Sequence, residues 1–170
     1  MARKVKCSVS GKWGTSDTFI KIDGKYYENK EVYEEQRKQT EYWKKAVEKI
    51  TVDYLGYHKG EPYPTILNKR LKSLDFYSNE VIYRTILYSD SSIRNALNSK
   101  EFNSTYAKIQ YIMAIIRNNI AKVWKIVRTE QKEQKQKIAN EKNDILNMDG
   151  LENINNPKQV NKDISKFVGD

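Results

Sequence analysis

The order of patterns along this 170-residue chain predicts an α+β fold, mostly α. Three observations predict it. Short alternating runs and an Asp-Gly dipeptide fall before residue 28. Apolar residues then recur at helical spacing, in separate segments, as far as residue 128. After Arg128 that recurrence stops. The expected architecture is a small N-terminal β-hairpin ribbon plus a helix, then a helical bundle ending in a long helix and a flexible tail.

The elements follow in order. Val5, Cys7 and Val9 alternate with polar residues, the period of a half-buried strand. Gly11-Lys12-Trp13-Gly14 reads as turn chemistry. Phe19, Ile20 and Ile22 make a second short strand, and Lys25-Tyr26-Tyr27 a third. Asp23-Gly24 between them suits a two-residue hairpin turn, whose central positions both need positive φ. Asn29 is placed to cap a helix over about 30–50, with Glu31 complementing the dipole of its first turn. Val32, Tyr33, Gln36, Thr40, Trp43, Val47 and Ile50 give that helix its period. Gly56, Gly60, Pro62 and Pro64 interrupt it.

A second part begins at Pro64. Ile66, Leu67, Leu71 and Leu74 predict one amphipathic helix. Ser78, with Glu80 after it, starts another that carries Val81, Ile82, Ile86 and Leu87. Ser91, Ile93, Ala96 and Leu97 predict a short third. From Thr105, residues Tyr106, Ile109, Ile112, Met113, Ile116, Ile120, Val123, Trp124 and Val127 form a wide apolar stripe that must pack on the earlier helices. Left uncovered, the same stripe would make a homodimer. Residues 129–142 are polar on every face but strong helix formers, and they extend the helix. Residues 144–170 read as flexible, with a short docking element at Ile164 to Val168. The domain reading is 1–58 as a ββα ribbon-like module, 62–142 as the helical bundle and 143–170 as the tail.

Composition narrows the function. The chain is polar, with 38% hydrophobic residues and a mean hydropathy of −0.83. No apolar run approaches the roughly 20 residues that span a bilayer. The basic start leads into Ser and Gly and not into the apolar core of a signal peptide. One cysteine fits a reducing compartment. The expected location is therefore the cytoplasm. The net charge is +9. Residues 1–60 hold 13 Lys/Arg against 9 Asp/Glu, residues 61–128 hold 11 against 5, and residues 129–170 hold 7 against 8. A basic surface of this size favours a polyanion such as DNA or RNA.

The excess in the middle segment points to Lys69, Arg70, Lys72, Arg84, Arg94, Arg117, Lys122, Lys125 and Arg128 as a phosphate-contacting face. Sequence alone leaves open whether they share one surface. Asn118 and Asn119 would add hydrogen bonds. Tyr54, Tyr57 and Tyr63 cluster at the Gly/Pro break and are expected to be exposed, either stacking on bases or anchoring a protein partner. Catalysis has no signature. No phosphate-binding loop, dinucleotide fingerprint or zincin motif occurs. Cys7 lacks a flanking partner motif, and the single histidine, His58, lies in the connector. The expectation is a protein that is no enzyme and uses no cofactor or metal.

Three resemblances add to this reading. Cys7-Ser-Val-Ser10, Ile22-Asp-Gly-Lys-Tyr-Tyr27 and the helix carrying Glu31-Val32-Tyr33 resemble a treble-clef or zinc-ribbon knuckle. Zinc-binding members use four Cys/His ligands. Here only Cys7 stands, with Ser10 at the second position. The resemblance implies a degenerate ribbon held by Trp13, Phe19, Tyr26, Tyr27 and Tyr33, and an unrelated ββα unit fits the residues equally well. Ile93-Arg-Asn-Ala-Leu97 and Tyr111-Ile-Met-Ala-Ile-Ile-Arg-Asn-Asn-Ile120, within residues 90–128, resemble the helical region of DnaD-like replication proteins. Tyr111 and Ile115 match that family's pattern, whereas Asn119 replaces its tryptophan. DNA binding is what this resemblance implies. The Lys-, Asn- and Tyr-rich style also resembles small phage and prophage proteins of low-GC bacteria. The resulting expectation is a nucleic-acid-binding accessory protein. The alternative is an inhibitor or modulator that binds a host protein or nucleoprotein complex, such as a polymerase, a nuclease or a CRISPR effector.

Overall fold

The computed structural model describes residues 2–154, with side chains through residue 140. It divides into two compact units, residues 1–127 and 128–170. The fold class is as expected, mostly α with two small antiparallel strand pairs.

Four strands form where three were predicted. Strand β1 (Lys4–Lys6) pairs with β2 (Trp13–Thr15), in the register Lys4 to Thr15, Val5 to Gly14 and Lys6 to Trp13. Trp13 and Gly14, read above as turn residues, thus belong to a strand. Their backbone groups pair with a segment seven to nine residues away, a partnership that local composition does not reveal. The turn proper lies earlier: Gly11 has a φ of 72°, and the Cys7 N–H donates to Lys12 O at 2.8 Å. Val9 lies past the end of β1 and is exposed, so it adds nothing to the strand's inner face. Strand β3 (Ile20–Ile22) pairs with β4 (Lys25–Tyr27). Asp23 and Gly24 have φ values of 49° and 78°, the two positive values that the hairpin demands. A parallel bridge from Cys7 to Tyr26 joins the two hairpins.

Alternation gives the ribbon two faces. Val5, Cys7 and Tyr27 turn inward and are buried. Gly14, opposite Val5, lies under the Phe19 ring, and a Cβ there would sit 2.4 Å from Phe19 Cε1. Only glycine admits that approach. Tyr27 meets Tyr33 edge-on at 5.1 Å and so ties the ribbon to the first helix.

Helix α1 (Lys30–Glu48) starts as predicted, with Asn29 Oδ1 accepting from Val32 N at 2.9 Å and Glu31 in the first turn. Its expected end near residue 50 is overrun. The chain continues as a π-helical segment, Lys49–Tyr54, in which Leu55 N–H reaches Ile50 O at 3.1 Å. This widened turn buries Ile50, Thr51 and Tyr54. Gly56 and Gly60, at φ of 79° and 84°, then shape the connector.

Helix α2 (Thr65–Lys72) follows Pro64, α3 (Asn79–Tyr88) is capped by Ser78, and α4 (Asp90–Ser99) leads to α5 (Thr105–Ile154). Gln39 holds the start of α3 from α1: its side-chain oxygen accepts from Asn79 N at 2.8 Å, and its carbonyl accepts from Asn79 Nδ2 at 2.9 Å. One apolar core joins Ala46, Val47, Ile50, Leu67, Leu71, Ile82, Ile86, Ile93 and the α5 stripe from Ile109 to Val127. Each fully buried Leu or Ile contributes about 1.5–3 kcal/mol of transfer free energy. This core crosses the connector at 56–64, so α1 shares its interior with α2–α5.

Leu87 and Tyr106, both assigned to the stripes, lie outside the core. Leu87 is 45% exposed and Tyr106 is 52% exposed. The stripe itself is covered, since Ile109, Ile112, Met113 and Ile116 have no exposed surface. The condition for a homodimer through it is therefore unmet. In the second unit α5 continues to Ile154, beyond the predicted end near 142 and into the segment expected to be flexible. Residues 131–140 are exposed on every side. The expected docking element at Ile164 to Val168 lies outside the described residues.

Candidate nucleic-acid interface

The nine predicted helical cations do not form one face. Arg94 donates to Asp90 at 2.9 Å and lies 3.4 Å from Asp53, while Lys49 binds Asp53 at 2.6 Å and Asp90 at 3.2 Å. Tyr54 OH donates to Asp90 Oδ1 at 2.8 Å and completes this cluster. These hydrogen bonds, from Tyr54 first and then Arg94 and Lys49, hold the Asp90 carboxyl down at about 2 against the opposing effect of burial. Burial, with Asp90 accepting its proton, pushes the Tyr54 hydroxyl above its ordinary range. Arg84 pairs with Glu80 at 2.9 Å.

Arg117 and Lys122, both on α5, point to different neighbours. Arg117 donates to Ser73 Oγ, at the end of α2, at 3.2 Å. Lys122 donates to Tyr88 OH, at the end of α3, at 2.6 Å. Five residues on a helix separate two side chains by roughly 140°, which places them on opposite flanks. Arg70, on α2, lies 3.5 Å from Tyr106 OH. Lys69, Lys72 and Lys125 are exposed. Arg128 belongs to the second unit. Asn118 is exposed, and Asn119 donates back to Ile115 O at 2.9 Å within its own helix.

The expected exposed tyrosine cluster does not hold together either. Tyr54 is buried, because the π-helical turn directs it at Asp90. Tyr63 packs against the core, with its hydroxyl 3.3 Å from Asn68 Oδ1, and Tyr57 is half-buried. His58 is a solvent-facing connector residue, as expected.

A site the sequence reading missed lies on the outer face of the ribbon. Strand register builds it. Lys6 stands directly across from Trp13, and Lys4 lies one alternation away on the same face. Their ammonium groups lie 5.8 and 5.1 Å from the Trp13 ring centre. Trp13 is 62% exposed, so it is no part of the ribbon's interior. The second hairpin repeats the arrangement. Lys21 stands across from Tyr26, with its ammonium 5.7 Å from the ring. The two pairs border one concavity of about 380 Å³, lined by Arg3, Lys4, Lys6, Trp13, Lys21 and Tyr26, with Val5 and Gly24 at its base. No carboxylate lines it. Glu28 is engaged elsewhere: Ser10 Oγ donates to it and Lys12 Nζ lies at 3.2 Å, which together hold its carboxyl below the ordinary range.

A finer charge count would have found this face. Residues 1–27 hold six Lys/Arg and two Asp/Glu, and residues 28–60 hold seven of each. The whole excess of the first 60 residues thus sits on the ribbon. Strands only three residues long carry too little alternation to show which side those cations take.

Metal and thiol chemistry find little support. Among the described residues no cluster of three or more His, Cys, Asp or Glu side chains is placed to hold a metal ion. At Cys7 burial raises the thiol, but hydrogen bonds from the Ser10 side chain and from the Ser10, Val9 and Glu28 backbones outweigh it and leave the thiol at about 7. The side chain is only 2% exposed, which closes it to reagents of any size. Among the described residues no helix is long and apolar enough to cross a membrane.

The family model for SPbeta prophage protein YorH matches residues 7–166. No curated protein and no solved structure matches the chain.

Proposed function

The chain belongs to the SPbeta prophage protein YorH family, and from that premise we propose that this phage protein is a nucleic-acid-binding accessory protein that engages its ligand through the ribbon. The observation that carries the reading is Trp13. It is an exposed indole with two lysine ammoniums beside its ring and no carboxylate in the adjoining concavity. Phosphates would meet Arg3, Lys4, Lys6 and Lys21, and an aromatic ring lies within reach of the same ligand. Lys69, Arg70 and Lys72 on α2, with Arg117 beside them, are secondary phosphate contacts.

The test is fluorescence anisotropy with labelled DNA and RNA across a salt series. Four cations on phosphate predict a loss of ~50-fold between 50 and 200 mM salt for a single strand. The double charge reversal K4E/K6E is expected to weaken binding at least ~10-fold, and reversal of Lys122 by less than about threefold. Equal affinity for K4E/K6E and the unaltered protein would remove the ribbon from the reading. A flat salt response would remove nucleic acid.

One observation favours a second reading, in which the protein binds a host protein or nucleoprotein complex and modulates it. Phe76, in the turn between α2 and α3, is 78% exposed and stacks with Tyr77 and Trp124 at 5.1 and 6.4 Å. A partner retained by the Trp13→Ala variant but lost by Phe76→Ser would favour this second reading.

A further inference from the structure

We infer that the ribbon takes a single strand, with one base stacked on Trp13. The inference rests on the nucleic-acid reading above and narrows it.

The ring has no structural duty on that face. The ribbon interior is filled by Val5, Cys7, Phe19 and Tyr27, all on the other side of the strands or between the hairpins. Large aromatic side chains ordinarily gain their stability by burial. This one leaves most of its surface in water. What the position offers is a flat π-system, mostly in solvent, with two lysine ammoniums over it.

In a duplex the bases already cover one another, so using that face costs the unstacking of a base step. An unpaired strand avoids that cost. Stacking of a base on an aromatic side chain is largely indifferent to sequence, since every base has a π-face. The ammoniums of Lys4 and Lys6 lie over the ring, on flexible stems that can turn to the phosphates of a base stacked there. This juxtaposition matches a nucleotide, which is a flat base with an anion attached. The Lys21–Tyr26 pair on the neighbouring hairpin supplies a second cation and a second ring on the same concavity. At about 380 Å³ the concavity lies near the lower end of small-ligand sites, so it takes a short piece of the strand and not the breadth of a helix.

The residue types argue the same way. A two-stranded ribbon can enter a major groove and read base edges there with Arg, Lys, Asn or Gln, a mode that makes no use of a stacking ring. Outward positions of these strands carry Lys4, Lys6, Trp13, Lys21 and Tyr26. These are stacking and phosphate residues, and Arg3 precedes the first strand.

The test uses intrinsic tryptophan fluorescence of the full chain, titrated with oligo-dT and with a mixed-sequence duplex of equal length. The unaltered protein is compared with Trp13→Phe and Trp13→Ala. The expected result has three parts. Oligo-dT quenches a component of the emission that is missing from Trp13→Phe. Trp13→Ala binds oligo-dT ~5- to 150-fold more weakly, the equivalent of one lost stack. Trp13→Phe, which keeps a ring, loses less. Because Trp13 is mostly exposed, unchanged far-UV circular dichroism should accompany both variants. Duplex bound as tightly as oligo-dT, with Trp13→Ala unaltered in affinity, would overturn the inference while leaving nucleic-acid binding in place. No binding of either ligand by the unaltered protein would overturn both.

Discussion

Two regions of this protein hold lysines and arginines beside tyrosines and tryptophan, and they use them differently. On the helices several of the cations are committed to the chain itself. Arg94 and Lys49 grip Asp53 and Asp90, Arg84 grips Glu80, Arg117 reaches Ser73, and Lys122 reaches Tyr88. On the ribbon Lys4, Lys6 and Lys21 have aromatic rings as neighbours and no carboxylate partner among the described residues. The helical segment has the larger charge excess, yet only part of that excess is left for a ligand. A charge sum locates basic residues, whereas pairing decides which of them can meet a ligand.

The contrast can be broken first at the core. Ile86 is fully buried on α3, and Ile86→Ala is expected to cost about 2–5 kcal/mol. Denaturant unfolding followed by far-UV circular dichroism and by tryptophan fluorescence should give coincident transitions, because ribbon and helices belong to one unit. Separate transitions would show that the ribbon stands without the helices.

A smaller effect sharpens the contrast at Asp90. Asp90→Asn leaves Lys49 and Arg94 with Asp53 alone, at a cost of about 1–2 kcal/mol, with nucleic-acid affinity unchanged. The sign of its pH dependence is fixed. The folded carboxyl is depressed to about 2 from an ordinary 3.8, so its stabilisation is present above about pH 4 and fades as pH falls toward 2. Acid titration of the thermal midpoint should therefore show a drop in the unaltered protein that the Asn variant lacks. If Asp90→Asn weakened binding and not stability, the helical cluster would be functional after all.

The smallest effect is at Ser89, between α3 and α4, whose buried hydroxyl has no hydrogen-bond partner among the described residues. Ser89→Ala removes an unsatisfied polar group and is expected to leave stability unchanged or raise it by up to about 1 kcal/mol. A loss measured by denaturant unfolding would mean the hydroxyl has a partner in solution.

Local signals were legible in the sequence. The Asp23-Gly24 turn, the Asn29 and Ser78 caps and the α5 stripe each depend on residues within a few positions of one another. What escaped depends on distant ones. Trp13 joins a strand only because Val5 lies opposite Gly14. Tyr54 stood beside Gly56 and read as exposed, but its partner, Asp90, is 36 residues away. The carboxylates that occupy Arg94 come from its own helix and from Asp53, 41 residues earlier. The predicted site failed as a single face for this reason, and the ribbon face was hidden because its tryptophan was assigned to the interior.

The π-helical segment Lys49–Tyr54 has a consequence for how this chain can tolerate change. A turn closed from Leu55 to Ile50 holds one residue more than the α-helical turns before it. It works as a phase adjuster on a shaft: α1 and the ribbon it meets are set at one angle, the Thr51 and Tyr54 contacts at another. Ordinary α winding through the same residues, with none removed, would leave one residue over and rotate everything upstream by about 100°. At that spot, a change of winding would be felt as torsion.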